Sequence, residues 1–199
     1  MTARLDPADH PWLDGPDTRR VMDALSPGDS DQARFVGGCV RNAVMGRAVD
    51  DVDIATRLEP EQAAAALQDA GVKAVPTGIE HGTVTAVGEG KPFEVTSLRR
   101  DVETFGRRAV VAYTGDWAED ARRRDFRFNS IYARRDGALF DPFGGVDDAR
   151  AGRVVFIGDP LRRIAEDYLR ILRFYRFNAW YALGIDPDGH AACVQMAAR

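Results

Sequence analysis

FVGGCVR, residues 35–41, is the stretch on which the fold prediction depends, and DVD follows it at residues 51–53. An apolar pair, two glycines and then apolar residues at helical spacing predict a strand, a tight turn and a helix. Glycines in such a turn let backbone N–H groups approach a phosphate, with the helix N-terminus facing the anion. Gly37 and Gly38 are therefore candidate phosphate-binding residues, and Arg41 in the first helical turn would add a guanidinium. A plain turn without a ligand is the alternative.

The second motif places two carboxylates two residues apart. Val52 and Ile54 alternate with acids, which predicts a strand on which Asp51 and Asp53 project to the same face. Two carboxylates on one face can bind one or two hard cations, and this chemistry suits two-metal phosphoryl transfer. Because Asp50 precedes them, a solvated acidic turn is the alternative.

The remaining pattern up to residue 145 predicts a mixed α/β unit. Helices are expected at residues 18–25, 60–70 and 117–124, a β-hairpin from the alternating runs 83–87 and 93–96, and a charged, mobile loop at 99–114. DPFGG at 141–145 is the strongest turn signal, and the pattern beyond it is helical. We therefore divide the chain into an entry segment (1–30), a head (31–145) and a helical part (146–199).

Composition excludes several classes of protein. The 199 residues include 27 Lys+Arg and 31 Asp+Glu, and the net charge of −4 argues against a protein that coats nucleic acid nonspecifically. The sequence has no apolar run long enough for a membrane span and no signal-peptide pattern at residues 1–14, so we expect a cytoplasmic protein without a membrane partner. Cys39 and Cys193 are too far apart to predict a structural zinc site.

Two polar clusters add candidate nucleotide-binding residues. The segment 162–180 is expected to form one helix, with Ile164, Tyr168, Ile171, Leu172 and Tyr175 on its apolar face and Glu166, Asp167, Arg170 and Arg173 opposite. A carboxylate beside a guanidinium would accept cytosine or adenine, which present an exocyclic amine next to an unprotonated ring nitrogen, and would reject uracil and guanine. Asp167 and Arg170 have this chemistry; intrahelical ion pairing is the alternative.

The other cluster, Arg122-Arg123-Arg124-Asp125 with Asn129, groups polar residues that could hold phosphate and sugar hydroxyls. A charged helix end is the alternative.

Five motifs occur in an order typical of one family. FVGGCVR (35–41), DVD (51–53), RRDF (123–126) with Asn129, DPFGG (141–145) and EDYLRILRF (166–174) resemble the class II tRNA nucleotidyltransferases. These are the CCA-adding enzymes, whose relatives are the bacterial poly(A) polymerases. The resemblance covers residues 33–182 and implies an α+β protein. Its head would have the nucleotidyltransferase fold, a small mixed sheet with helices, and an all-helical neck would follow.

The resemblance also assigns roles by position. Asp51 and Asp53 would be catalytic ligands of Mg²⁺, with Glu94 a candidate third carboxylate, or else a rim residue on an edge strand. Asp167 and Arg170 would read the base. The remaining residues would contact the nucleotide: Gly37, Gly38, Arg41, Arg124, Asp125, Asn129, Arg173 and Arg176. Two positions depart from the usual pattern, because Asn42 replaces a common aspartate and so loosens the expected orientation of Arg41, and Arg127 replaces a threonine near the proposed ribose site.

The implied activity is transfer of CMP and AMP from CTP and ATP to the 3′ end of tRNA. The family's body and tail domains, which grip tRNA, are not expected within 199 residues. The chain would then be a fragment or half-protein that needs a second chain, or it would act only weakly on RNA ends. Two alternatives stay open: a poly(A) polymerase or A-adding enzyme, and a non-catalytic nucleotide-binding fragment.

Overall fold

The main sheet and its order explain how the acidic motif is presented. The computed structural model describes residues 3–78, 82–88, 92–105 and 108–197. Its strands are β1 (Ala33–Val36), β2 (Asp53–Thr56), β3 (Lys73–Gly78), β4 (Thr83–Val87), β5 (Pro92–Ser97), β6 (Arg99–Phe105), β7 (Arg108–Tyr113), β8 (Tyr132–Ala133) and β9 (Leu139–Phe140). Seven of them form one sheet in the order β3-β4-β5-β2-β1-β8-β9.

The sheet is mixed, because β2 pairs parallel with β5 and antiparallel with β1. In the parallel pair, Asp53 lies directly beside Glu94. Neighbouring residues in register project to the same face of a sheet, so the strand pairing brings these two carboxylates together. The α+β fold and the mixed sheet expected from the sequence are confirmed.

Eight α-helices are present in the described residues. They are α1 (Pro16–Leu25), α2 (Gly38–Val44), α3 (Pro60–Asp69), α4 (Trp117–Arg122), α5 (Gly145–Arg150), α6 (Pro160–Glu166), α7 (Leu169–Tyr181) and α8 (Pro187–Ala197). Local chemistry explains their starts: α3 begins with a capping box of Glu59 and Gln62, and α4 is capped by Asp116, whose side chain accepts from the Ala118 N–H. None of these helices combines the length and apolar character that a membrane span requires.

The hairpin predicted at residues 83–96 is confirmed by the antiparallel pairing of β4 with β5; residues 89–91 of its turn lie outside the described part. The irregular loop expected at 99–114 is wrong for residues 99–105 and 108–113, which form strands, whereas residues 106–107 lie outside the described part and the expected mobility stays a prediction. Strands β6 and β7 pair there as a separate antiparallel ribbon with a register shift between Asp101 and Glu103. Pairing needs only backbone donors and acceptors, so a charged segment can form a ribbon.

The single helix expected at 162–180 is also wrong. Helix α6 ends at Glu166, Asp167 is extended (φ −156°, ψ 107°), and α7 begins at Leu169. The Asp167 carboxylate accepts from the Leu169 N–H at 3.0 Å. The break exists because this carboxylate competes with the continuing helix for the backbone donor.

The apolar face proposed for that helix is corrected as well. Tyr168, Leu172 and Tyr175 are exposed, Leu172 by 67%, whereas Phe174 and Phe177 are buried. The two phenylalanines pack against Phe126, and Phe174 stacks on Phe156 at 5.4 Å between ring centroids. This aromatic cluster joins the segment after α4 to α7. The proposed division at residue 145 stays a prediction.

The DPFGG motif fixes the start of α5. Both oxygens of Asp141 accept backbone N–H groups, from Gly145 at 2.8 Å and Val146 at 2.9 Å. A Cβ at position 145 would lie 2.1 Å from the carbonyl oxygen of Arg127. Only glycine therefore allows α5 to approach the segment that carries Asn129.

We expect Gly145→Ala to lower the free energy of unfolding by about 1–3 kcal/mol, because the backbone must move to relieve the contact. Urea unfolding measures this loss. Gly184→Ala is the matched control, since a Cβ there meets nothing within 4 Å. Equal unfolding midpoints for the two variants would contradict the proposed close approach.

Candidate active site

A glycine turn lies between the acidic strand and an arginine. Gly37 connects β1 to α2 with φ 75° and ψ −125°, a conformation that residues with a Cβ rarely adopt. A Cβ at Gly37 would lie 3.8 Å from Arg124 Nη1 and 3.8 Å from Asp53 Oδ2. The turn therefore borders both the carboxylate and the guanidinium.

Two adjoining cavities form one cleft around this turn. The first, of about 680 Å³, is lined by residues that include Asp53, Glu94 and Thr96. The second, of about 630 Å³, extends to α7, and the two share Asp53, Arg99, Arg123 and Arg124. Most residues that the sequence predicted line the second cavity: Gly37, Gly38, Arg41, Asp53, Arg124, Asp125, Asn129, Asp167, Arg170, Arg173 and Arg176. Glu94 lines the first cavity, whereas Asp51 is exposed, precedes β2 by two residues and lines neither cavity.

The electrostatics of Asp53 favour a cation. Burial raises the pKa of Asp53, the negative charges of Glu94 and Asp51 raise it further, and Arg124 opposes them. A cation would relieve this repulsion, and carboxylate oxygens are the ligands that hard cations prefer. In the described residues, no three acidic, histidine or cysteine side chains converge closely enough to hold an ion alone. The residues present fit an ion that takes its other ligands from water or phosphate, as Mg²⁺ commonly does.

A buried carboxylate that the sequence analysis missed holds the arginines of the cleft. Asp120, only 1% exposed, accepts from Arg123 at 2.7 and 2.9 Å, from Arg124 at 3.2 Å, and from the Tyr132 hydroxyl at 2.6 Å. It also accepts from the Arg99 N–H at 3.2 Å. Burial alone would raise the pKa of Asp120, but Arg124, Arg123 and Tyr132 outweigh it and lower the pKa to about 2. The spacing of three and four residues from Asp120 to Arg123 and Arg124, at the end of the helix predicted over 117–124, is the sequence signal that could have identified it.

Arg41 is held by neutral groups. Its guanidinium donates to Asn129 at 2.6 Å, to Asn42 at 2.9 and 3.2 Å, and to the Tyr181 hydroxyl at 2.8 Å. Asn42 in turn donates to the Ala48 carbonyl at 2.9 Å. The loose orientation expected from Asn42 is wrong, because the amide oxygen serves as an acceptor for Arg41.

Asp125 and Arg127 are engaged within the protein. Asp125 accepts from Asn129 at 3.1 Å and from the Arg173 Nε at 2.6 Å, so it orients two of the predicted nucleotide-binding residues. Arg127 lies 3.9 Å from Asp148 on α5. Arg127, which departs from the usual family pattern, therefore lies near a carboxylate of the protein.

The residues predicted to read the base reach one cavity but have different partners. Arg170 donates to Glu166 at 2.7 Å and to the Arg163 carbonyl at 2.6 Å, whereas the Asp167 carboxylate accepts from the Leu169 N–H at 3.0 Å. The common helical face predicted for Asp167 and Arg170 is therefore replaced by a bend that brings both to the cavity.

The architecture is that of a nucleotidyltransferase head. Residues 33–155 match the family described as the poly A polymerase head domain, and the chain belongs to this family. It is 46% identical over 160 residues to CCA tRNA nucleotidyltransferase 1, mitochondrial, of Danio rerio, covering 80% of this chain and 37% of that protein.

Solved structures show the same fold. The CCA-adding enzyme of Bacillus stearothermophilus in complex with CTP is similar with a TM-score of 0.79 and 34% identity, over 92% of this chain and 44% of that one. A tRNA nucleotidyltransferase complexed with a primer tRNA and an incoming ATP analog has a TM-score of 0.68 and 26% identity, over 84% of this chain and 47% of that one. The chain thus spans less than half the length of these relatives.

The Asp120 network predicts a pH dependence of stability. The folded pKa of about 2 lies below the ordinary 3.8, so the stabilisation is fully present above about pH 4 and is lost as the pH falls toward 2. The pKa difference corresponds to about 2 kcal/mol. We expect Asp120→Asn to be destabilised at pH 6 and the difference from the parent chain to shrink between pH 4 and 2.

Urea unfolding across this pH range measures the difference. Asp147→Asn, at an exposed position of α5, is the control. A difference between parent and Asp120→Asn that stays constant from pH 6 to 2 would contradict the low pKa.

Proposed function

We propose that the chain binds CTP and ATP and transfers CMP and AMP to the 3′ end of tRNA. The observation that carries this proposal is the charge of the second cavity. In the part of the chain that the structure describes, its lining includes seven arginines and three aspartates, and Asp53 is one of these aspartates. A cavity with this excess of positive charge suits a polyanionic ligand such as a nucleoside triphosphate.

The position of each residue along the cavity supports a role. Arg41 and Arg124 are assigned to the triphosphate, and their proximity to the glycine turn of Gly37 and Gly38 supports this assignment. Since α2 has only seven residues, we assign the binding to these guanidiniums and not to a helix dipole. Asn129 and Asp125 lie between this end and α7 and are assigned to the ribose. Arg173 and Arg176 are assigned to support of the base or phosphates.

In the proposed reaction, the 3′-hydroxyl oxygen of the RNA attacks the α-phosphorus and forms a new oxygen–phosphorus bond. The bond from the α-phosphorus to the oxygen that bridges to the β-phosphate breaks, pyrophosphate leaves with that oxygen, and the hydroxyl proton passes to solvent. Asp51 and Asp53 would hold Mg²⁺, with Glu94 as a candidate third carboxylate. Bound there, Mg²⁺ would lower the pKa of the attacking hydroxyl and screen charge on the phosphates. Arg124, fixed by Asp120, would stabilise the developing negative charge without reorganisation.

The partners follow from the similarity to relatives whose structures contain CTP or a primer tRNA with an ATP analog. We keep two further proposals from the sequence: a cytoplasmic location, and a second chain that supplies body and tail domains. The zebrafish relative is a mitochondrial protein by name.

A poly(A) polymerase or A-adding enzyme is the second candidate function, and the family match to the poly A polymerase head domain favours it. Competition between CTP and ATP separates the two activities. Incorporation of A alone would identify the second candidate, and nucleotide binding without incorporation would identify a non-catalytic fragment.

We expect Asp53→Asn to lower nucleotide transfer at least about 100-fold, because the cation would lose a carboxylate ligand. The assay offers labelled CTP and ATP with Mg²⁺ and a tRNA that lacks its terminal CCA, and Asp51→Asn is tested beside it. Asp69→Asn, exposed at the end of α3, is the control. Normal transfer by either active-site variant would remove that aspartate from the proposed metal site.

We expect Asp167→Arg to relax the preference for C and A over U and G by about tenfold or more, because the acceptor for the exocyclic amine is lost. Misincorporation is measured with each nucleotide separately. Asp188→Arg, which makes the same charge change at an exposed position of α8, is the control. An unchanged preference in Asp167→Arg would assign base selection to other residues.

A further inference from the structure

Tyr181, the last residue of α7, contacts two arginines of the head. Its ring centroid lies 4.2 Å from the Arg41 guanidinium carbon and 4.7 Å from that of Arg47. Its hydroxyl accepts from Arg41 Nη2 at 2.8 Å. Arg47 also donates to the carbonyl of Trp180 at 2.8 Å. The end of the neck helix is therefore tied to α2 and to the loop that follows it.

The partners of Arg41 differ from those of other arginines in the cleft. Arg124, Arg170 and Arg173 each bond a carboxylate, which neutralises much of their charge. In the described residues, the side-chain acceptors of Arg41 are amide and phenol oxygens. Arg41 is 6% exposed, so its orientation is restricted while its charge stays uncompensated by a bonded acid.

A buried cation held only by neutral acceptors is suited to bind an anion, provided that its orientation is fixed before the ligand arrives. Among these acceptors, Tyr181 is the one that α7 supplies, and it adds the face of its ring to a hydrogen bond. Tyr181 also lines the second cavity beside Arg41. Tyr181 thus both orients the Arg41 guanidinium and shields it from water.

We propose that Tyr181 is a positioning residue that aims the Arg41 guanidinium at the phosphates of the bound nucleotide, with Arg47 holding the tyrosine ring in place. This inference rests on the proposed function, in which Arg41 contacts the triphosphate. Tyr181 also links the two ends of the cavity, because Arg170 lies near the other end of α7, about 16 Å from Tyr181 along the helix.

The test measures binding of inorganic tripolyphosphate to the complete chain by calorimetry, so that it does not depend on nucleotide transfer. We expect Tyr181→Phe, which keeps the ring, to weaken binding about threefold, and Tyr181→Leu to weaken it about tenfold or more. Tyr175→Leu is the matched control: Tyr175 is on the same helix but its hydroxyl is 3.1 Å from His190 Nδ1 on α8.

A double-mutant cycle with Arg41→Met distinguishes positioning from general support of the fold. If Tyr181 acts through Arg41, Tyr181→Leu has no further effect on tripolyphosphate binding in the Arg41→Met background. Additive losses would overturn the inference, as would unchanged binding by Tyr181→Leu or equal losses in Tyr181→Leu and Tyr175→Leu.

Thermal unfolding of each variant accompanies the binding data, and Tyr181→Phe keeps the test decisive if the leucine variant does not fold. A threefold loss in Tyr181→Phe that disappears in the Arg41→Met background supports the inference by itself. If the parent chain binds tripolyphosphate but transfers no nucleotide, the proposed function fails and the inference stands. If the parent chain does not bind tripolyphosphate, the inference fails.

Discussion

The buried carboxylate of Asp120 is the interaction on which the cleft depends. Asp120 lies on α4 and accepts from the two arginines that follow this helix, from β8 and from the start of β6, so one side chain connects the ribbon, the helix and the main sheet. A charge removed from water is tolerated only when its partners are complete, because each missing donor leaves a desolvation cost uncompensated. The network therefore fixes Arg124, whose guanidinium reaches the glycine turn beside Asp53. The geometry of the proposed chemistry follows from a residue that has no proposed contact with the ligand.

The arginines of the cleft divide into two groups by their partners. The arginines bonded to Asp120, Glu166 or Asp125 line the cavity, and much of their charge is balanced by these carboxylates. Arg41 and Arg176 have no carboxylate partner in the part of the chain that the structure describes, and the guanidinium carbon of Arg176 lies 5.3 Å from the ring centroid of Phe177. Because Coulomb attraction for a phosphate depends on charge that is not already balanced, the second group contributes most to anion binding.

Local patterns explain what could be predicted from the sequence. The Gly37 turn, the β4–β5 hairpin and helix α3 depend on residues adjacent in sequence, and the structure confirms them. The charged, glycine-containing sequence of the β6–β7 ribbon predicts a loop, because backbone pairing between two strands leaves no mark in side-chain charge. The break at Asp167 was missed because the apolar spacing continued through it, while one carboxylate intercepted the N–H of Leu169. Asp120 has local partners in Arg123 and Arg124, but its bonds to Arg99 and Tyr132 cross to other elements of the fold. Tyr181 contacts Arg41 and Arg47, which are distant in sequence, and it carries no motif that marks it.

The break at Asp167 and the contacts of Tyr181 together determine how α7 is held. At its start, Arg170 bonds Glu166 and the Arg163 carbonyl of α6; at its end, Tyr181 bonds Arg41 of α2. Between these points, Phe174 and Phe177 are buried in the aromatic cluster. A helix fixed at both ends and packed in the middle moves only as a unit with the elements that hold it. Arg170, assigned to the base, therefore lies on the same helix as Tyr181, which bonds the Arg41 assigned to the phosphates, and α7 joins the two ends of the cavity through these contacts.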